Sequence, residues 1–194
     1  MEGKGFVAAN LGVAIAHGLE QRCLLVDCDL RRPKLAELFS LDNTSGLSNF
    51  LSGQANDLAR LIQGTSMEKL SVLASGLQPE KPSELIDSSR MKEVFHTFHA
   101  QAEEQLVIFD SPPMQAAAET AVLAKMVDKV LIVVRWGYSG REQVKNLIEA
   151  IGREKIIGIV FNAFEKNVMD SLLERKGFYG YSGYYGEGYY GEGY

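Results

Sequence analysis

Acidic residues follow two of the most apolar runs of this sequence, and they are the residues best suited to do chemistry. Asp27 and Asp29 come after the run LLV, and Asp110 comes after LVIF. If both runs are buried strands of a parallel sheet, their carboxyl ends share one edge and the acids converge there. Converging carboxylates repel one another and favour a cation, and oxygen ligands suit Mg²⁺ held together with phosphate oxygens and water. The alternative is that these aspartates only cap the turns and helices that follow.

The first residues of the chain could supply the other half of such a site. Glu2-Gly3-Lys4-Gly5 runs directly into a segment whose apolar residues have helical spacing. Backbone N–H groups at a helix start bind phosphate, glycines let the backbone approach closely, and a lysine neutralises phosphate charge. The pattern therefore predicts a phosphate site next to the acids.

The remaining pattern alternates strands with helices, which predicts an α/β fold with a doubly wound, mostly parallel sheet and helices on both faces. Strands are predicted at 22–26, 70–74, 105–109, 129–134 and 156–161. Helices are predicted at 6–20, 34–39, 57–63, 83–104 with a break near Ser88, 116–125, 140–153 and 168–175. Ligands of such sheets bind beyond the carboxyl ends of the strands, where the three acids lie.

The bulk composition of the 194 residues favours one folded domain. A net charge of −5, without a basic stripe, argues against nucleic acid as a partner. The longest apolar runs are much shorter than the about 20 residues of a membrane-spanning helix. The two cysteines do not make a disulfide framework, so a reducing, cytoplasmic location is expected.

A change of composition near the end of the chain predicts a folded domain at 1–176 and a flexible tail at 177–194. Seven of the eight tyrosines lie in this tail, separated mostly by glycine: Tyr179, Tyr181, Tyr184, Tyr185, Tyr189, Tyr190 and Tyr194. A glycine-rich segment of this kind can enter a neighbouring molecule in extended form. The alternative is a sticky or phase-separating aromatic segment.

Several segments resemble the bacterial tyrosine kinases (BY-kinases), the tyrosine autokinases of polysaccharide export. EGKGFVAANLGVAIA is similar to the end of their Walker A motif and its helix, LLVDCDLRRP to their Walker A′ motif, and LVIFDSPP to their Walker B motif. SGLQPEKPSELIDSSRM and IGIVFNAF are also similar to family segments, and the tyrosine tail lies where the family has its autophosphorylated cluster. The resemblance covers essentially the whole chain and implies a P-loop NTPase fold of the MinD/ParA type.

The resemblance implies an ATP- and Mg²⁺-dependent protein-tyrosine autokinase that regulates capsule and exopolysaccharide biosynthesis and export. Nucleotide contacts would come from Glu2, Gly3, Lys4, Gly5, Phe6, Arg31 and Asn162. Mg²⁺ would be organised by Asp27, Asp29 and Asp110. The catalytic residues would be Lys4, Asp27 and Asp29, with Asp27 the expected acceptor of the tyrosine proton. Asn162 would face the adenine, Arg31 would assist with phosphate or with a neighbouring subunit, and the tail tyrosines would be the autophosphorylation sites.

Partners follow from the same resemblance. It implies a transmembrane polysaccharide co-polymerase adaptor, which would hold the protein at the inner face of the cell membrane, and a cognate tyrosine phosphatase. A ring-like homo-oligomer that dissociates when the tail is phosphorylated is a further hypothesis, because each phosphate would add about −1.5 to −2 charges.

The sequence departs from the family at the phosphate loop. Gly5 stands where the family has Ser or Thr, whose hydroxyl binds Mg²⁺, so we expect weakened binding of magnesium and nucleotide. The first P-loop strand is not found before Glu2, so the strands at 105–109 and 129–134 are expected to lack a shared neighbour. The domain is therefore expected to be incomplete at its amino end, through a truncated chain or a misplaced start codon.

Two other classes of function remain open. A partitioning ATPase of the MinD/ParA type shares the fold, although the tyrosine tail argues against it. A catalytically impaired pseudokinase module, whose tail is phosphorylated by another kinase, is favoured by Gly5 and by the missing strand.

Overall fold

The computed structural model describes residues 2–19, 21–113 and 117–163 of the chain. The strands are β1 (Arg22–Asp27), β2 (Ile62–Gly64), β3 (Leu70–Leu73), β4 (Gln105–Asp110), β5 (Val130–Arg135) and β6 (Ile156–Asn162). The α-helices are α1 (Lys4–Gly18), α2 (Leu35–Leu38), α3 (Leu47–Leu51), α4 (Pro82–Ile86), α5 (Ser89–His99), α6 (Ala117–Met126) and α7 (Arg141–Ile151). Strands and helices alternate through most of this order, as the sequence predicts for an α/β fold.

The larger sheet has the strand order β2-β3-β1-β4. Strand β1 runs parallel to both of its neighbours, whereas β2 pairs antiparallel with β3 at the edge. Every residue of β1 from Cys23 to Asp27 is buried, as expected for a parallel strand that is covered on both faces. The register of β1 with β4 places Asp27 opposite Asp110, so the two acids end adjacent strands at the same edge.

Helices cover both faces of this sheet, which confirms the predicted layering. Leu24 and Val26 of β1 belong to one apolar cluster, together with residues of α3, α5 and α6. Cys23 and Leu25 point to the other face, where residues of α1 and α2 join them. At Gly12 a Cβ atom would lie 2.9 Å from the Leu25 side chain, so the absence of a side chain lets α1 pack directly on β1.

Strands β5 and β6 form a separate, two-stranded parallel sheet. No described strand lies between β4 and β5, which confirms the prediction that they lack a shared neighbour. A cavity of about 740 Å³ is lined by both strands, including Leu106 and Ile108 of β4 and Leu131 and Val133 of β5. Among the described residues, one edge of each strand is therefore left without a strand partner for its backbone groups.

The prediction of a helix at 57–63 is wrong. The chain makes one 3₁₀ turn at Ala59–Leu61 and then enters β2, where Gln63 pairs with Val72 of β3. The side chain of Gln63 also exchanges two hydrogen bonds with the backbone of Asp42, at 3.2 and 2.8 Å. Strand pairing at the sheet edge therefore outweighs the helical spacing of the apolar residues.

The other predicted elements within the described residues are found within a few residues of their predicted bounds. The break near Ser88 is confirmed, because the Ser88 hydroxyl accepts a hydrogen bond from the Met91 N–H at 3.2 Å and caps α5. Helix α3 was not predicted, since its five residues are too few to show a period. The helix predicted at 168–175 and the tail at 177–194 lie outside the described residues. None of the described helices is long and apolar enough to cross a bilayer.

Candidate functional site

Two buried acids lie side by side at the carboxyl ends of β1 and β4. Asp27 and Asp110 are partners in the strand register, and their exposed fractions are 0% and 6%. Burial raises the pKa of Asp27 to about 6, although backbone hydrogen bonds oppose the rise. Burial also raises the pKa of Asp110 to about 7; the charge of Asp27 adds to this rise and that of Lys4 opposes it. A positive ion beside the two carboxylates would therefore be favoured.

Asp27 also shapes the loop that follows β1. Its carboxylate accepts hydrogen bonds from the backbone N–H groups of Asp29, Lys34 and Leu35, at 3.2, 3.0 and 2.9 Å. Asp29 accepts a hydrogen bond from the Arg32 N–H at 3.1 Å. Both aspartates thus have the capping role that the sequence left open as an alternative. Asp29 is partly exposed, whereas Asp27 has no exposed surface.

The three acids predicted to organise a metal do not form a metal cage by themselves. Among the described residues, no three His, Cys, Asp or Glu side chains are grouped closely enough to hold a metal ion. Asp27 and Asp110 are together, and the charge of Asp29 adds to the effect of burial on the pKa of both. Because Mg²⁺ is usually held by one or two carboxylates with phosphate oxygens and water, these residues fit magnesium bound together with a phosphate.

Helix α1 begins directly beside Asp110. Its N-cap, Gly3, has a φ of 85°, a left-handed conformation that glycine adopts without strain. A Cβ atom added at Gly5 would lie 2.9 Å from Asp110 Oδ2, so the first turn of the helix contacts the acid. The first N–H groups of a helix lack acceptors within the helix and carry the positive end of its dipole. This end of α1 is therefore suited to an anion next to the acid pair.

The lysine predicted to contact phosphate forms an ion pair. The Lys4 ammonium lies 3.0 Å from Glu2 Oε2, and both side chains are largely buried. Burial would raise the pKa of Glu2, but the hydrogen bond from Lys4 and its charge outweigh this effect and lower the pKa below its usual value. A phosphate that bound to the first turn of α1 would compete with Glu2 for the Lys4 ammonium group.

Asn162 holds the residues before α1 against the end of β6. Its side-chain amide donates a hydrogen bond to the Glu2 carbonyl oxygen at 2.8 Å. A Cβ atom at Gly3 would lie 2.0 Å from the same amide nitrogen, so this approach requires glycine. The sequence did not reveal this contact, because the two partners are 160 positions apart. The assignment of Asn162 to the adenine stays a prediction.

The remaining predicted residues lie at different places around the site. Phe6, in the first turn of α1, is 58% exposed. Arg31 pairs with Glu119 of α6, a buried acid that the sequence analysis missed. The available signal was one acid among apolar residues in the predicted helix at 116–125. The tail tyrosines lie outside the described residues.

Comparisons with known proteins identify the family. The model of a family described as the CobQ/CobB/MinD/ParA nucleotide binding domain matches residues 2–176. Tyrosine-protein kinase YwqD of Bacillus subtilis is 34% identical over 184 residues, which are 94% of this chain and 73% of that protein. Tyrosine-protein kinase etk of Escherichia coli K12 is 36% identical over 142 residues, which are 73% of this chain.

A solved structure extends the likeness to three dimensions. The kinase domain of the E. coli tyrosine kinase ETK has a TM-score of 0.76 and 31% identity, and the match covers 97% of this chain and 68% of that one. Other curated relatives are much longer than this chain. The match spans only 19% of etk and 23% of a Ralstonia nicotianae protein named EpsB.

Proposed function

Because the chain belongs to the CobQ/CobB/MinD/ParA nucleotide-binding family and, within it, to the bacterial tyrosine kinases, we propose that it transfers phosphate from ATP to tyrosine. The substrate is the tyrosine-rich segment 179–194 of a second copy. One observation carries the proposal, the pair Asp27 and Asp110 beside the first turn of α1. Phosphoryl transfer depends mainly on positioning and charge neutralisation, and this edge of the sheet offers both.

The nucleotide and magnesium bind, on this proposal, around the acid pair. Lys4 and the first N–H groups of α1 hold the phosphates. Asp27 and Asp110 hold the magnesium ion and its waters, and the ion neutralises phosphate charge when it is bound. Gly5 offers no hydroxyl ligand, so the affinity for magnesium and nucleotide is weaker than in a loop that carries Ser or Thr.

Asp27 at the end of β1 and Asp29 in the loop that follows have different roles in the transfer. A tyrosine hydroxyl has a pKa of about 10, so a nearby base assists its attack. Asp27 is the predicted base, yet it is fully buried and already accepts three backbone hydrogen bonds. Asp29 is partly exposed, which supports Asp29 as the proton acceptor and Asp27 as the residue that fixes the loop.

The proposed setting is the inner face of the cell membrane, where a transmembrane polysaccharide co-polymerase adaptor would recruit the protein. A tyrosine phosphatase would return the tail to its bare form, and the cycle would regulate capsule or exopolysaccharide assembly. The net charge of −5 gives no support to nucleic acid as a partner.

Mass spectrometry of the tail tests the proposal. The wild-type chain, Asp110→Asn and the control Asp128→Asn are expressed in a host without tyrosine kinases; Asp128 is an exposed acid outside the site. We expect phosphotyrosine on the wild type and on the control, and its loss from Asp110→Asn. Equal phosphorylation of all three would contradict the role of the acid pair, whereas the absence of phosphotyrosine from all three would favour a tail that another kinase phosphorylates. ATP hydrolysis with an unmodified tail would instead support a partitioning ATPase.

A further inference from the structure

A cluster of three side chains connects the loop after β1 to α4 and α6, two helices that contribute no residue to the proposed reaction. Arg31 Nη2 donates hydrogen bonds to Glu119 Oε1 of α6 and to Ser83 Oγ of α4, each at 2.9 Å. The Ser83 hydroxyl donates to the same carboxylate oxygen. The Glu119 side chain is 5% exposed, whereas that of Arg31 is 48% exposed. The cluster therefore has a buried acid at its centre and a cation at the surface.

Arg31 supplies a long-range connection of this loop. The hydrogen bonds accepted by Asp27 and Asp29 join residues that are two to eight positions apart. The contacts of Arg31 reach 88 and 52 positions along the chain. Local bonds thus give the loop its shape, while Arg31 sets its orientation relative to α4 and α6. Because Glu119 is buried, its carboxylate needs the guanidinium group as a partner.

We infer that Glu119 is a positioning residue, which holds Arg31 and the acid-bearing loop in the arrangement that receives an anionic phosphate. The described contacts of Arg31 use only Nη2, and about half of its side chain is exposed, so Nη1 and Nε remain for another acceptor. Arg31 can therefore contact a phosphate without leaving Glu119. The inference rests on the proposed function and brings α4 and α6 into the site.

Amide hydrogen exchange tests the positioning without any ligand. Glu119→Gln keeps the size of the side chain and an acceptor for Ser83 but removes the charge. We expect exchange of the backbone amides of residues 28–32 and 34 to become about tenfold faster, while the amides of β1 and β3 are unchanged, because only the loop opens. The control is Glu84→Gln. Glu84 follows Ser83 in the sequence and pairs with Lys81 on the surface, so its loss should leave amide exchange in the loop unchanged.

The affinity for Mg-ADP, measured with a fluorescent ADP analogue, separates positioning from a merely structural role. We expect Glu119→Gln to weaken binding about tenfold, as expected for the loss of a charge-assisted contact. Arg31→Met should weaken it by a similar factor. The double variant should be no weaker than Arg31→Met, since both changes act through one contact. Independent, additive losses would overturn the inference.

Each remaining outcome also decides the question. Unchanged loop exchange in a folded Glu119→Gln protein would overturn the inference. If loop exchange is faster in Glu119→Gln but the wild type binds no nucleotide, the positioning role of Glu119 is supported and the proposed function is rejected. Should Glu119→Gln fail to fold, Ser83→Ala removes an exposed hydroxyl from the same cluster. A smaller rise in loop exchange is then expected, and the absence of any rise would refute the positioning role.

Discussion

Replacing Asp110 by asparagine should make the protein more stable at neutral pH and flatten the pH dependence of its stability. Asp110 is 6% exposed and lies beside Asp27, and no described side chain donates a hydrogen bond to its carboxylate. Burial, with the charge of Asp27, raises its pKa from 3.8 to about 7 in the absence of a metal. An amide of the same shape removes the buried charge.

The sign and size of the effect follow from proton linkage. Between about pH 4 and pH 7 the unfolded chain loses the Asp110 proton first, so the folded state binds more protons and the free energy of unfolding falls as pH rises. A pKa raised from 3.8 to about 7 corresponds to about 4 kcal/mol. Between pH 4 and pH 8, the free energy of unfolding of Asp110→Asn should therefore rise by up to about 4 kcal/mol relative to that of the wild type.

Urea unfolding at pH 4 and pH 8, in the presence of a chelator, measures this difference. The control Asp128→Asn changes an exposed acid and should follow the wild type at both pH values. If the unfolding free energy of Asp110→Asn falls from pH 4 to pH 8 as much as that of the wild type, the argument that the buried Asp110 charge destabilises the folded protein is refuted.

Four further substitutions probe the start of α1. Gly3→Ala should unfold at a clearly lower temperature, because residue 3 has a positive φ and a Cβ would lie 2.0 Å from the Asn162 amide; an unchanged melting temperature would contradict this. Asn162→Ala should lower the unfolding free energy in urea by about 1 kcal/mol through loss of the bond to Glu2; no loss would show that the contact is absent in solution. Gly5→Ala should weaken Mg-nucleotide binding in calorimetry, because the new Cβ would lie 2.9 Å from Asp110 Oδ2 and displace that side chain. Gly5→Ser should recover part of the lost affinity, and stronger binding by Gly5→Ala would contradict this reasoning.

The sequence was sufficient to predict the strands that carry the acids. The runs before Asp27 and Asp110 are continuously apolar, and such runs are typical of strands buried on both faces of a parallel sheet. Two strands of that kind imply a shared edge, so the proximity of Asp27 and Asp110 followed from the pattern. The gap between β4 and β5 was also predictable, but only through the family resemblance.

Long-range contacts were not predictable from the sequence. The bond from Asn162 to Glu2 and the pair of Arg31 with Glu119 join positions 160 and 88 apart, and no local pattern encodes them. Strand β2 was missed for the same reason, since it exists through pairing with β3. The burial of Asp27, which shifts the proposed proton acceptor to Asp29, depends on packing that one sequence does not reveal.

Calorimetric titration with ATP, with and without Mg²⁺, tests the central claim that the acid pair and the first turn of α1 bind a metal-bound triphosphate. We predict weak binding by the wild type that requires Mg²⁺ and is lost in Asp110→Asn. Binding of equal strength without Mg²⁺, or unchanged binding by Asp110→Asn, would contradict the claim.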